Sequence, residues 1–430
     1  MTVRKLGLLA ATGAAALGYA SAANAGAFYL QEQSVKAVGR AFSGEAADTG
    51  PESLWWNPAA IAGQPGGVYL GASAIQPKGK VIDTGTLIRR PGQPFASVGG
   101  DANVSDPINK GVVPSGAVAF PLNERVSLGL AVTSPFSFTT NYDADSWTRY
   151  SADKSKLRTI DVQPGVAVLV TDWLRVGGAA NIEYTKATLS NKLPNLSPLL
   201  ADGQQTLQGD GWDLGWSAGL QMFNDWATVG ISYKSSIKHK LKGEVTVAGL
   251  LGPLAAQNRS VDATATFRTP WQATIAGRFR MTPQVTLNMQ ASRIGWDKFD
   301  AITLGAPLNT AIPENYKESW NAAAGFDYDV TPDFTVRAGA QYDTTPTRDG
   351  YRDARVPDAD RWSYSVGASY RLSPRFTVDA AAMYTDFKNE TIDRPTAAYA
   401  GTAAQTVIVT QGRVEDARAL VFALGGRYSF

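Results

Sequence analysis

The chain has 430 residues, with 40 Lys and Arg against 38 Asp and Glu, a single histidine and no cysteine. Those counts exclude disulfides and thiolate metal sites, make any metal centre a poor fit and provide no basic excess to recruit nucleic acid. Mean hydropathy is −0.16, and beyond the N-terminus no segment approaches the roughly 18 consecutive apolar residues of a membrane-crossing helix.

Residues 1–25 read as a secretory signal: Arg4 and Lys5, the apolar stretch Leu6 to Tyr19, and the small-residue cleavage site Ala23-Asn24-Ala25. Its removal takes away two positive charges, balances the remainder at 38 basic against 38 acidic residues and leaves Gly26 first. Residues 26–66 show no strand alternation. Gln31 to Ala47 is rich in small residues and suits a short helix, and Ser53-Leu54-Trp55-Trp56-Asn57-Pro58-Ala59-Ala60 sets two tryptophans against a proline turn. Such a segment is too short for an independent core. It belongs either to a small periplasmic appendage or, as the better fit, inside a barrel whose wall supplies the missing core.

From residue 67 onward, alternation and turns take over. Six turn signals recur, each followed at once by an alternating strand: Pro121-Leu122-Asn123-Glu124, Thr171-Asp172, Asn224-Asp225, Thr282-Pro283, Thr331-Pro332-Asp333 and Ser373-Pro374. The long, irregular intervals between them match short periplasmic turns and longer extracellular loops. Six hairpins supply twelve strands; one entering and one closing strand raise the count to fourteen, an even number as a closed antiparallel barrel of this kind requires. Between the turns, Trp320, Ala322, Ala324, Phe326 and Tyr328 oppose Asn321, Ala323, Gly325 and Asp327, and Leu420, Phe422, Leu424, Tyr428 and Phe430 share one parity of the last strand. One face is expected in lipid and the other in a lumen. Trp173, Trp226, Phe334 and Phe376 suit an interfacial belt. Fold class is therefore all-β, a transmembrane 14-stranded antiparallel barrel over 67–430 with 26–66 as an internal plug. The expected location is the outer membrane of a Gram-negative cell. There Phe430 would engage the barrel-assembly machinery, and the wall would meet lipid and lipopolysaccharide.

The runs Gly26-Ala27-Phe28-Tyr29-Leu30-Gln31-Glu32-Gln33-Ser34, Gly39-Arg40-Ala41-Phe42-Ser43-Gly44-Glu45-Ala46-Ala47 and Asn57-Pro58-Ala59 resemble the FadL/TodX family of outer-membrane transport proteins. So do Gly295-Trp296 with Phe299-Asp300, and Pro357-Asp358-Ala359-Asp360-Arg361-Trp362 leading to Ser365–Tyr370. The resemblance implies a fourteen-stranded barrel plugged by an N-terminal hatch bearing the Asn-Pro-Ala motif, and passive uptake of long-chain fatty acids or of other hydrophobic compounds such as aromatic hydrocarbons. It also implies that ligand binding near the mature N-terminus (Gly26, Phe28) shifts the hatch, with Asn57, Pro58 and Ala59 in the gate. Asn57 has a physical role available, since its amide can bond hatch or wall backbone while Pro58 fixes the turn.

Two apolar loops stand out. Leu189, Leu193, Leu196, Leu199 and Leu200 lie between the fifth and sixth strands, and Val245, Val247, Leu250, Leu251 and Leu254 between the seventh and eighth. They pack as a lid, capture cargo from outside, or do both. In the third strand, Ser134-Pro135-Phe136 should mark a bulge, kink or strand end, because proline cannot donate to a ladder. The resemblance implies that such a kink releases cargo sideways into the membrane. Pro164 and Pro270 interrupt other strands. A carboxylate cargo would need an inward cation, for which Lys234, Arg337 and, less directly, Arg149 are candidates. Rival functions are an aromatic-hydrocarbon channel of the same architecture, a non-specific porin, and a hydrolase built on His239 with Ser235 or Ser236. No nucleophile elbow, phosphate loop or paired catalytic carboxylates accompany that histidine, so neither enzymatic activity nor a cofactor is expected.

Overall fold

The computed structural model describes residues 27–430; the signal expected over 1–25, and Gly26, lie outside the described residues. Fourteen antiparallel strands form one closed wall. They are β1 (Gly67–Asp83), β2 (Gly111–Pro121), β3 (Val126–Thr133 and Ser137–Asn141), β4 (Lys154–Thr171), β5 (Leu174–Leu193), β6 (Gly203–Phe223) and β7 (Ala227–Lys234 and Lys238–Ala248). Then follow β8 (Arg259–Arg268 and Trp271–Arg280), β9 (Val285–Gly295), β10 (Ser319–Thr331), β11 (Phe334–Asp343), β12 (Arg361–Ser373), β13 (Phe376–Phe387) and β14 (Gly412–Ser429). Closure comes from β1 against β14, in register from Gly67↔Ser429 to Asp83↔Gly412.

All six expected turns join strands, and side chains cap most of them. Asn123 Oδ1 accepts from the Arg125 and Val126 amides, Asn224 Oδ1 from Trp226 and Ala227, Thr282 Oγ1 from Gln284 and Val285, and Ser373 Oγ from Arg375 and Phe376. Parity also holds. Trp320, Phe326, Leu420, Phe422 and Leu424 are exposed on the outer face, whereas Asn321, Ala323, Asp327, Val421 and Ala423 are buried toward the lumen.

At the extracellular side the strands are longer than their turns suggest. β5 and β6 stay in register from Met222↔Leu174 to Gly203↔Leu193. Leu189, Leu193, Val245 and Val247 are therefore strand residues, and the loops proper shrink to 194–202 and 249–258. A hairpin ladder has no reason to stop at the lipid boundary when every step adds two satisfied backbone groups. The prolines act unequally. Pro164 lies within an unbroken β4, where the β5 register merely skips from Val162↔Ile182 to Gly165↔Ala179, whereas Pro135 and Pro270 each split a strand.

Residues 27–62 are buried apart from the partly exposed Thr49, Gly50 and Pro51, and they pack against inward-facing wall side chains. The small-residue run forms only one short helix, α1 (Val35–Gly39), capped by Ser34 Oγ accepting from the Ala37 amide. A second turn, Pro58–Ile61, is capped by Asn57 and carries proline at its first position. Close approach of this segment to the wall relies on wall glycines. A methyl group at Gly230 would stand 1.9 Å from the Ala46 carbonyl oxygen, at Gly219 2.0 Å from Asn57 Oδ1, and at Gly339 2.2 Å from the Arg40 carbonyl oxygen.

Gly230→Ala is expected to push the Glu45–Asp48 stretch off the wall at an overpacking penalty of about 1–3 kcal/mol. Amide hydrogen exchange over 45–48 should quicken about tenfold or more while the wall strands keep their protection. Unchanged exchange there would mean that the seam is not close-packed.

Candidate functional site

Inside the extracellular half of the barrel, aromatic side chains from distant parts of the chain converge on Phe28. Its ring meets Trp296 at 4.8 Å and Phe299 at 5.3 Å, both edge-on, with Phe138 at 5.6 Å and Phe136 at 6.0 Å. Tyr316 stands 4.9 Å from Phe299, and Phe267 of β8 stands 6.0 Å from it. Beside this cluster lies a cavity of about 70 Å³, walled by Leu157, Leu207, Leu241 and Ile302 together with Phe28, Phe138, Phe267, Phe299 and Tyr316. That space is small beside the ~300 Å³ and upward of ordinary ligand pockets. The space is therefore narrow, and a molecule of ligand size could enter it only by displacing side chains such as the Phe28 ring.

Polar groups collect at one margin of the cavity: Glu314, Arg352, Asp353 and Arg355. Arg352 bonds Asp349 and lies 3.4 Å from Glu390. Arg394 lies 2.8 Å from Asp353 and 3.4 Å from Glu314. Arg355 instead donates to neutral groups, Ser155 Oγ at 3.2 Å, the Ser190 carbonyl at 3.3 Å and Asn191 Oδ1 at 3.3 Å. Burial lowers the Arg355 pKa below the ordinary guanidinium value, opposed by the charges of Asp353 and Glu314. Burial also pushes the Glu314 carboxyl up to about 7 despite Arg394.

Ser134-Pro135-Phe136 sits at the break in β3. The β2–β3 register ends at Gly116↔Val132, and backbone bonding to the chain before β2 resumes only where Asn109 N–H donates to Thr139 and Asn141 N–H to Pro107. Gly111–Ser115 thus has no ladder to β3. The broken segment is satisfied from inside instead. Leu30 N–H donates to the Pro135 carbonyl at 2.7 Å and Ser137 N–H to the Phe28 carbonyl at 3.0 Å. Gln33 completes the seam, accepting from Ser134 N–H at 3.1 Å and donating to its carbonyl at 2.9 Å. On the far side, Thr159 bonds both the amide and the carbonyl of Phe136.

Two other interruptions, at 235–237 in β7 and 269–270 in β8, are repaired by the wall itself. Ser235 Oγ accepts from Trp216 N–H, Asp213 from Lys240 N–H, and Thr269 N–H donates to Ile237. The wall break at Pro135 alone among these three is held by the N-terminal segment.

Asn57 bonds both hatch and wall. Its amide donates to Ala46 at 2.7 Å, Leu220 at 3.1 Å and Ile231 at 3.4 Å, and its oxygen accepts from Ala59 N–H. Below the aromatic storey the segment ends in ion pairs. Arg40 bridges Glu45, Asp48 and Asp327, Lys36 meets Asp48 and Glu52, and Arg278 and Arg337 both reach Asp327.

The structure places the remaining sequence candidates as follows. Leu193, Leu250 and Leu254 form a small buried cluster with Leu196 against it, while Leu199, Leu200 and Leu251 are exposed, so the two loops both pack together and present apolar surface. Asn195 stitches them, donating to Gly249 and accepting from Leu251 N–H. None of the three cation candidates lines the aromatic cavity. The Lys234 ammonium lies 3.0 Å from the centre of the Trp55 ring, Arg337 belongs to the ion-pair storey, and Arg149 pairs with Asp202 at 3.3 Å. Parity along a strand says that a side chain points inward, not how deep in the lumen it meets the internal segment. His239 is buried against Thr185 and Thr269, and those hydroxyls, not Ser235 or Ser236, are the ones within bonding distance. Sequence reasoning missed Phe267, Tyr316, Arg355 and the role of Trp296 and Phe299. Only the inward parity of Phe267 carried a readable signal.

A sequence model of the outer membrane protein transport protein family (OMPP1/FadL/TodX) matches residues 16–430. The 47 kDa outer membrane protein of Pasteurella multocida is 29% identical over 383 residues, 82% of this chain and 85% of that protein. The long-chain fatty acid transport protein of Escherichia coli is 24% identical over 375 residues, 78% of this chain and 81% of that protein. Among solved structures, a Pseudomonas aeruginosa FadL homologue superposes with a TM-score of 0.81 at 24% identity, covering 94% of this chain and all of that one (100%). The toluene transporter TodX of P. putida superposes at 0.63 with 16% identity, covering 89% and 94%. With a closed fourteen-stranded wall and a family match over nearly its whole length, the chain belongs to the OMPP1/FadL/TodX family of outer-membrane transport proteins.

Proposed function

We propose that the protein is a passive uptake channel for hydrophobic compounds, with long-chain fatty acids as its main cargo, and that it carries out no chemistry on them. Cargo first meets the exposed Leu199, Leu200 and Leu251, enters the aromatic cavity by displacing Phe28, and leaves sideways between β2 and β3. The observation that carries this reading is the break at Ser134-Pro135-Phe136, whose inner bonds go to Phe28, Leu30 and Gln33. A straight descent would instead drive an apolar chain through the ion pairs of Arg40, Lys36 and Asp327, at the expense of desolvating or parting buried charges. A segment filling the lumen also argues against a non-specific porin.

Arg355 favours a carboxylate head, because its present partners are neutral and a carboxylate would improve on them. The ring-lined cavity supports a second reading, uptake of aromatic hydrocarbons, and a structural relative is named a toluene transporter. Growth of a deletion strain carrying this gene on oleate, against growth on toluene, separates the two.

Arg355→Ala should weaken oleate binding about tenfold, the loss of one charge-assisted bond, and leave methyl oleate binding unchanged. An equal loss for both ligands would remove Arg355 from head-group recognition. Asn57→Ala strips bonds from three carbonyls, a local penalty of about 1–3 kcal/mol. Ion conductance in planar bilayers should rise while the unfolding temperature of the barrel barely moves; wild-type conductance would reduce Asn57 to a turn former. A disulfide joining β2 within 111–115 to the 134–138 stretch should abolish uptake when oxidised and restore it on reduction. Full uptake through the oxidised form would close the lateral route as an explanation.

A further inference from the structure

We propose that the outer face of β7 and β8 holds a phosphate of the glycolipid that builds the outer leaflet, gripped by Lys238, Lys240 and Arg268. In Lys238-His239-Lys240-Leu241-Lys242 the histidine and leucine are buried toward the lumen, and all three lysines are exposed on the outside. The β7–β8 register sets Lys238 directly opposite Arg268. Like charges facing each other across a ladder destabilise a sheet unless something anionic lies between them. Among the described residues, no carboxylate lies within ion-pairing distance of Lys238, Lys240 or Arg268. Two neighbouring exposed cations are paired, Arg293 with Glu318 and Lys298 with Asp297 at 2.8 Å, and further up the same strands Lys186 and Lys242 at least stand opposite Asp210 in register.

Height on the wall identifies the anion. Immediately on the periplasmic side of the breaks at 235–237 and 269–270 lies an aromatic row, Trp216 with Tyr233 at 5.3 Å and Tyr233 with Trp271 at 6.2 Å. Below it the outer face is apolar, with Ile231 and Ile275 exposed. Tryptophan and tyrosine in such a row mark the membrane–water interface, which puts Lys238, Lys240 and Arg268 at head-group depth. The leaflet there is a phosphorylated glycolipid, lipopolysaccharide, and guanidinium and ammonium groups bind phosphate oxygens through charge-assisted hydrogen bonds. The inference depends on the outer-membrane location alone and is independent of cargo and exit route.

The test uses the mature protein in detergent, stripped of native lipid, with unfolding temperature as the readout. Lipid A bearing both phosphates should raise it by several degrees, and the same lipid after enzymatic dephosphorylation should not. The triple variant Lys238→Gln, Lys240→Gln, Arg268→Gln should lose the shift, and Lys80→Gln with Arg413→Gln, on the opposite side of the barrel, should keep it. Should the triple variant fail to fold, Lys240→Gln alone, an exposed position, should weaken lipid A binding about threefold to tenfold, and 1 M salt should weaken wild-type binding. A shift retained by the triple variant, or unweakened binding by Lys240→Gln, would overturn the proposal. So would an equal shift from phosphatidylglycerol or inorganic phosphate.

Discussion

Hydrocarbon offers a backbone no hydrogen-bonding partner, so each unpaired amide or carbonyl in a membrane wall costs several kcal/mol. That rule explains why the chain closes β1 on β14 along sixteen paired positions with a single register shift, and it makes every interruption of the wall informative. The breaks in β7 and β8 are mended by groups belonging to the wall: the Ser235 hydroxyl, the Asp213 carboxylate and the Ile237 carbonyl. Those repairs are fixtures. The break in β3 is mended by Phe28, Leu30 and Gln33, part of a segment packed inside the wall rather than forming it. A seam held by a separable element can open without tearing the barrel.

The internal segment is bound differently at its two ends. Toward the periplasm, Arg40, Asp48 and Glu52 are tied to the wall's Asp327, Arg278 and Arg427 by ion pairs, Lys36 and Glu45 brace them from within the segment, and wall glycines let the backbone press close. Toward the outside, the contacts are rings against rings around Phe28. Breaking a buried pair is expensive because it strands a charge, whereas aromatic contacts slide and are readily replaced by another apolar surface. The arrangement therefore favours movement at the Phe28 end over movement at the Arg40 end.

Much of this was legible in the sequence, because turns and pleats are local. Asn123, Asn224, Thr282 and Ser373 announce hairpins by chemistry that needs only three or four residues, and the two-residue period fixes which side chains face lipid. Asn57-Pro58-Ala59 was likewise readable as a proline-fixed turn whose amide could bond hatch or wall backbone. The cavity was not. Trp296, Phe299 and Tyr316 come from the stretch between β9 and β10, and Arg355 from that between β11 and β12. These residues fold inward over the lumen, where no periodicity marks them. Lys234 and Arg337 have inward parity but do not line the aromatic cavity, and depth in the lumen is set by what fills the barrel, which no single strand encodes. The extended hairpins of β5, β6 and β7 escaped for a related reason: composition changes at the lipid boundary, but hydrogen bonding does not.

In the proposed mechanism, the same few atoms join ligand binding to the opening of the wall. Phe28 presents its ring to the cavity and its carbonyl to Ser137, while Leu30 and Gln33 bond Pro135 and Ser134. A ligand that expels the ring pulls on the carbonyl three bonds away. Releasing those four bonds costs about 4 kcal/mol at roughly 1 kcal/mol each, before any strain in the segment. Burying acyl chain returns about 0.8 kcal/mol per methylene, so five methylenes reach the break-even point and each further one biases the seam toward opening. A long chain exceeds that threshold comfortably, whereas a small ring stands near it and gains nothing from Arg355. Under the proposed mechanism, cargo length thus sets how often the side of the barrel opens, and the hatch acts as the balance against which the chain is weighed.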